Sequence, residues 1–293
     1  MQRTERDMGK RLAALLSGVL AAGVVLAAPA NASGVLTGVP AYEGSGIQDP
    51  TLVGASPVTP GHKIEGFTGV GVQSIIGPDN RVRVNPTTTF PARATVLITR
   101  VSGGVERQHC TGWMFGPSLV LTAGHCVHPG GGGSFYTGLR FYPGYNGTTA
   151  PYGSCTATQL RASSGWISSG SADHDYGGAN LNCTIGNTVG WYGAFATTAS
   201  LNGTPTTIQG YGGDKNKQQW LSTDQIRVSN TLRLFYQNDT IGGNSGSAVA
   251  TNRPAGSPGC SGWCSLAFHA YGGSQNSGAR ITAARLTEVT GWR

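Results

Sequence analysis

The chain has 293 residues, of which only 11% are charged, 47 are Gly and 15 are Pro. That balance argues against long surface helices, which need charged outer faces and few glycines. The net charge is +7, but Arg140, Arg161, Arg227 and Arg233 stand singly, and no basic run marks a nucleic-acid surface.

Lys10 and Arg11 close a mixed-charge start, and the stretch from Leu12 to Ala28 is apolar. Ala30-Asn31-Ala32 then gives the small-x-small pattern of a signal-peptidase site. The pattern predicts a signal peptide over 1–32, cleaved before Ser33. A membrane anchor competes, because the apolar run is near spanning length. No basic residue follows it directly, which favours removal, and no later segment could span. Residues 33–73 are rich in Gly, Pro, Ser and Thr and contain no Cys. They read as a pro-segment or linker rather than as core.

From Ser74 onward the pattern changes to short β-type runs broken by glycine turns. Ala94–Val101, Ser118–Thr122, Thr206–Tyr211, Thr231–Tyr236 and Ser265–His269 are expected strands. His109–Met114 and Ala179–Asn182 are strand-like as well. Leu286, Val289 and Trp292 recur at a spacing of three, which fits one short terminal helix packed on the body. The expected class is therefore all-β, a barrel or a sandwich. Export would place Cys110, Cys126, Cys155, Cys183, Cys260 and Cys264 in an oxidising compartment, where they pair. A zinc site is the weaker reading, because Cys260 and Cys264 have no matching second pair nearby.

Three segments carry chemistry. Gly242-Gly-Asn-Ser-Gly-Ser247 sets a serine among glycines. A serine hydroxyl needs a base to take its proton and N–H donors for the oxyanion that forms. Tight turning at the glycines would let the N–H groups of Gly243 and Ser245 converge on one oxygen. A plain Gly-Ser turn is the bland alternative. Leu121-Thr-Ala-Gly-His-Cys126 places His125 directly after an apolar strand. A Cys110–Cys126 bridge would staple its loop to the neighbouring strand. His62 falls in the pro-region, and His109 and His128 read as surface residues. Asp173-His-Asp-Tyr-Gly-Gly178 offers two acids. Asp175, next to Tyr176 and a strand-like run, is preferred over Asp173 as the orienting carboxylate. The order His, Asp, Ser is that of chymotrypsin, not of subtilisin or the α/β-hydrolases. Ser247 also stands where a hydrolase elbow would have its last Gly.

These segments resemble the bacterial glutamyl endopeptidases of the chymotrypsin-like superfamily, over nearly all of 74–293. The matching stretches are Ser74–Gly77 with Arg81 and Arg83, Cys110–Gly116, Thr122–Cys126, Ser164–Trp166 and Asp175–Gly177. Ile185–Gly190, Gly210–Lys215, Gly242–Gly246, Cys260–Cys264 and Leu266–His269 continue the match. The resemblance implies two six-stranded antiparallel β-barrels with a short C-terminal helix. It implies a secreted zymogen whose mature domain is 74–293; a monomer that needs no cofactor and no catalytic metal is expected. It implies cleavage of proteins or peptides after Glu, then Asp, with Thr240 and His269 holding the substrate carboxylate. A protonated His269 would add charge there, and a new α-amino group near Ser74 would lie close by. A pocket for basic side chains would have to use Asp239, beside Thr240. Cys155 and Cys183 depart from the usual bridges and are expected to pair with each other; Cys260 pairs with Cys264. Self-trimming could follow Glu65 but not Gln73. Two other readings stay open: a different preference at the cleaved residue, or an inactive secreted binding relative.

Overall fold

The computed structural model describes Gly44 and residues 55–69 and 74–293. The expected signal peptide, 1–32, lies outside the described residues, as does much of 33–73.

The first barrel has six strands: β2 (Thr95–Ser102), β3 (Val105–Met114), β4 (Leu119–Thr122), β5 (Leu139–Pro143), β6 (Cys155–Ala162) and β7 (Gly177–Leu181). It closes in the order β2-β3-β4-β7-β6-β5, with every pairing antiparallel. The second barrel contains β9 (Pro205–Gly210), β10 (Trp220–Ser229), β11 (Arg233–Tyr236), β12 (Ala248–Arg253), β13 (Gly262–Tyr271) and β14 (Asn276–Arg280). Pairing of β9 with β10 closes it, again antiparallel throughout. Two short outliers attach to its outside, β1 (Val82–Arg83) on β10 and β8 (Gly193–Ala194) on β13. The expected double barrel is therefore the observed architecture.

The apolar runs explain the strands. β4 reads Leu-Val-Leu-Thr and is buried throughout, and the first five residues of β2 are buried too. Such continuous burial suits β-branched and aliphatic residues packed on both faces. Trp113 of β3 meets Phe268 of β13 at 5.9 Å between ring centroids, so the core is continuous from one barrel to the other. The terminal helix α3 (Ala283–Thr290) is capped by Thr282, whose hydroxyl accepts from the Arg285 N–H. Leu286, Val289 and Trp292 are buried as their spacing predicts. Tyr176, next to Asp175, stacks on both Phe268 and Trp292 and donates to Glu288. The helix thus braces the strand that begins beside Asp175. Two further helices, α1 (Ser164–Ser169) and α2 (Gly186–Val189), are short connectors. Among the described residues no helix is long and apolar enough to cross a membrane.

All six cysteines pair as expected: Cys110–Cys126, Cys155–Cys183 and Cys260–Cys264. The first bridge closes a 16-residue separation and fixes the loop of His125 to β3. Replacing both cysteines by Ala should lower stability by about 3 kcal/mol. Activity should fall with it, because the loop that carries His125 loses its staple. Thermal melting and a peptide-cleavage assay on one preparation check both effects. Unchanged melting would contradict this account of the bridge.

Candidate active site

His125 lies in the single turn Gly124–Cys126 directly after β4. Asp175 lies just before β7, which pairs with β4, so the sheet register brings the two side by side. The backbone N–H of His125 donates to Asp175 Oδ1 at 2.8 Å, and its Nδ1 lies 2.7 Å from Oδ2. Asp175 is fully buried, while the side chain of His125 is 30% exposed toward the cleft. Asp173, in contrast, is 45% exposed and sits 3.8 Å from Arg233. Of the two candidate acids, only Asp175 touches the imidazole.

Burial disfavours charge on both partners. For Asp175, the His125 charge, two hydrogen bonds from His125 and one from the Tyr271 hydroxyl outweigh it and hold the carboxyl below its usual range. For His125, the Asp175 charge and hydrogen bond outweigh burial and raise the imidazole above its ordinary value. The neutral ring is the form that can accept a proton. Activity should therefore fall on acidification, with the half-point above the ordinary 6.5. A profile of kcat/KM against pH measures this; a half-point below that value would contradict it.

Ser245 sits in the turn between β11 and β12. Its carbonyl accepts from the Thr111 N–H of β3, and the next N–H, of Gly246, donates to His269 O of β13. The serine is thus pinned where the barrels meet. Gly246 has φ +87°, and a Cβ there would run into Thr122 Oγ1 and Thr111 O. Gly243 has φ +101°, and a Cβ there would meet Tyr211 O at 2.6 Å. Both positions require glycine. Within the turn, the Asn244 N–H donates to Ile241 O and the Ser247 N–H to Asn244 O. Among the described residues no acceptor takes the N–H of Gly243 or Ser245.

His125 and Ser245 line one cleft of about 260 Å³, together with Trp166, Thr240, His269 and Tyr271. Trp166 is held by its indole N–H donating to His128 O and stands edge-on to His125. His269 is buried, and burial presses its pKa down to about 3. Desolvation disfavours the charge that a protonated His269 would add and keeps the free ring neutral. Its Nδ1 lies 2.8 Å from the Tyr236 hydroxyl, itself buried. Thr240 exchanges backbone hydrogen bonds with Ser74 in both directions, at 3.3 and 3.4 Å. Asp239 turns elsewhere. Its two oxygens accept the N–H groups of Ile76 and Asn80, so it anchors the segment after Ser74 instead of lining the cleft. Arg81 fastens the same segment by bonding both Asp79 and Asp214.

Two expectations for other histidines need correction. His128 is fully enclosed and accepts the Gly130 N–H. His109 lies 3.0 Å from Cys126 O, edge-on to Tyr136, and burial holds its pKa down to about 4. His128 is a core residue, and His109 is half-buried with its ring held against Cys126 O and Tyr136. The sequence reading missed Tyr236 and Tyr271 at the site; both are aromatic residues in strands, where core packing is the ordinary role.

Two six-stranded barrels with His125, Asp175 and Ser245 at their shared cleft are the architecture of a chymotrypsin-like serine endopeptidase. No family model matches the chain. Over 227 residues it is 46% identical to the glutamyl endopeptidase of Bacillus licheniformis, covering 76% of this chain and 70% of that protein. Over 255 residues it is 35% identical to a Bacillus subtilis protein named extracellular metalloprotease, covering 86% of this chain and 78% of the relative. A solved structure of a Glu endopeptidase in complex with MPD superposes with a TM-score of 0.65 at 31% identity, covering 74% of this chain and 98% of that one. The chain belongs to the glutamyl endopeptidase family. The one cluster of potential metal-binding side chains among the described residues is Cys110, His125 and Cys126, and both sulfurs are locked in a disulfide.

Proposed function

We propose that this serine endopeptidase cleaves after Glu, and more slowly after Asp, using His125, Asp175 and Ser245. Ser245 Oγ attacks the scissile carbonyl, and its proton passes to His125 Nε2. Asp175 orients the ring and stabilises its charged form. The N–H groups of Gly243 and Ser245 hold the oxyanion. Collapse of the intermediate breaks the C–N bond, and His125 gives its proton to the leaving amine. Water then releases the acyl group by the same steps.

The observation that carries the Glu preference is a neutral, buried His269 on the cleft wall with Tyr236 at its Nδ1. With the Tyr236 hydroxyl as donor to Nδ1, the ring proton sits on Nε2, where it can meet a carboxylate. A substrate carboxylate leaving water must find donors, because an unpaired buried charge is costly. Thr240 offers a hydroxyl and His269 a ring N–H. Asp239 does not line the cleft and its oxygens hold the N–H groups of Ile76 and Asn80, which argues against a pocket for basic side chains. The five basic and five acidic residues before Ser74 cancel, so the domain from Ser74 keeps the whole +7. That field draws acidic peptides, an attraction that weakens with salt.

Cleavage of the signal peptide 1–32 would release the chain from the cell. A cut at the end of the pro-segment 33–73 would give a mature domain beginning at Ser74, which acts as a monomer. The backbone pairing of Ser74 with Thr240 supports this boundary, because a new α-amino group would arise beside the pocket. Cleavage-site profiling of the secreted enzyme on a whole proteome tests the preference. A majority of cuts after residues other than Glu and Asp would refute it. A fluorophosphonate probe that failed to label Ser245 would favour an inactive binding relative.

A further inference from the structure

Residues 55–69 have the composition of a linker, yet they are seated on the first barrel at four points. Ser56 exchanges both backbone hydrogen bonds with Ser154, each at 2.9 Å. The N–H of Glu65 donates to Glu106 O at 2.8 Å, and the N–H of Gln108 donates to Glu65 O at 3.0 Å, adding a short strand beside β3. Ile64 is buried among Leu97, Tyr142, Tyr145 and Tyr211. His62 Nε2 lies 3.0 Å from Glu106 Oε2. Main-chain pairing with alternate side chains in pockets is the chemistry of an added peptide strand. The pairing also bears on Glu65 as a possible self-trimming site. A scissile residue must lie extended in the cleft, whereas this one is held in a ladder on another face.

The seat connects to the oxyanion turn. Phe67 covers Gly213, where a Cβ would meet its ring at 2.8 Å. The Gly213 N–H donates to Gly242 O, next to Gly243. Gln108, paired with Glu65, donates through Nε2 to Tyr211 O, the oxygen against which Gly243 packs. None of the residues lining the catalytic cleft comes from 55–69.

We propose that residues 55–69 are a ligand of their own enzyme. They occupy an exosite on the first barrel, stay bound after the chain is cut between 69 and 74, and brace the turn of Gly243 from behind. The segment acts as a strap rather than a plug in the cleft. This inference does not rest on the Glu preference.

The test uses the full chain with residues 70–73 replaced by the recognition sequence of a site-specific protease. In the Ser245→Ala background, the chain is folded, cut, and run on gel filtration and native mass spectrometry. The fragment ending at residue 69 should travel with the body. Ile64→Asp should weaken its hold at least about 100-fold after the cut, because an aliphatic side chain leaves a closed pocket and a charge replaces it. With Ser245 intact, loss of the Ile64→Asp fragment after the cut should lower kcat on a small acylating substrate about tenfold, with little change in KM. Added wild-type 55–69 peptide should restore it. If Ile64→Asp does not fold, His62→Ala serves as the milder releasing variant. A wild-type fragment that separates from the body on cutting overturns the exosite. Unchanged kcat after its loss overturns the bracing role.

Discussion

Asp175→Asn should lower kcat/KM on a peptide substrate by about 10⁴-fold, while Asp173→Asn should change it by less than about twofold. The difference follows from what each carboxylate holds. Asp175 has no exposed side-chain surface and accepts from both the backbone N–H and Nδ1 of His125. An amide there offers one oxygen to two donors and turns an NH2 toward one of them. The ring then favours the tautomer with its proton on Nε2, which cannot accept from Ser245. The oxyanion donors stay in place, so residual catalysis remains. Asp173 is 45% exposed, its carboxylate lies 3.8 Å from Arg233, and its carbonyl accepts from Arg285. Its charge is screened by solvent and touches nothing that reacts. Steady-state kinetics on both variants, with thermal melting to exclude misfolding, decides the matter. Equal losses in the two would remove Asp175 from the proposed triad.

The proposed triad was legible because each member lies in a short segment whose residue types have few other uses. Asp175 was separable from Asp173 because it abuts Tyr176 and a strand, and the structure shows why that matters. Tyr176 packs on Phe268 and Trp292, which buries the backbone next to it. Parts of the second barrel were not legible. β14 reads Asn-Ser-Gly-Ala-Arg and has no β-branched residue, yet it pairs on both sides, with β11 and β13. Tertiary pairing overrides local propensity there. The seat of 55–69 was hidden for a related reason. One buried aliphatic residue, Ile64, leaves no periodic signal in a Gly- and Pro-rich stretch, and the rest of its hold is backbone pairing with single contacts by His62 and Phe67. Asp239 was ambiguous by position alone. Only the fold shows that its oxygens belong to Ile76 and Asn80.

His269→Ala should reduce kcat/KM for Glu substrates about 100-fold or more, and for matched Phe substrates far less. The reasoning starts from the unpaired charge. In the variant, a bound Glu carboxylate loses a buried donor and keeps only Thr240. A hydrogen bond to a charged group in a closed site is worth about 1.5–3 kcal/mol, and an unmet carboxylate adds a desolvation penalty. A Phe ring needs no donor and gains the vacated space. Tyr236→Phe is the sharper variant. It keeps the ring of His269 and its packing but removes the hydroxyl at 2.8 Å from Nδ1. The imidazole is then free to place its proton on Nδ1, which presents a lone pair instead of a donor to the substrate. Glu cleavage should fall about tenfold, Phe cleavage should hold, and melting should move little, since one buried hydrogen bond contributes only about 1 kcal/mol. Because free His269 is neutral down to about 3, neither variant should shift the acid limb set by His125. Asp substrates should trail Glu in the wild type, because the shorter stem holds the carboxylate short of both donors. Reactivity of Ser245 toward a small acylating probe should survive both changes. Equal loss on Glu and Phe substrates in Tyr236→Phe would make the Tyr236–His269 pair a packing feature, and the preference for Glu would then have to come from Thr240 and the new α-amino group beside it.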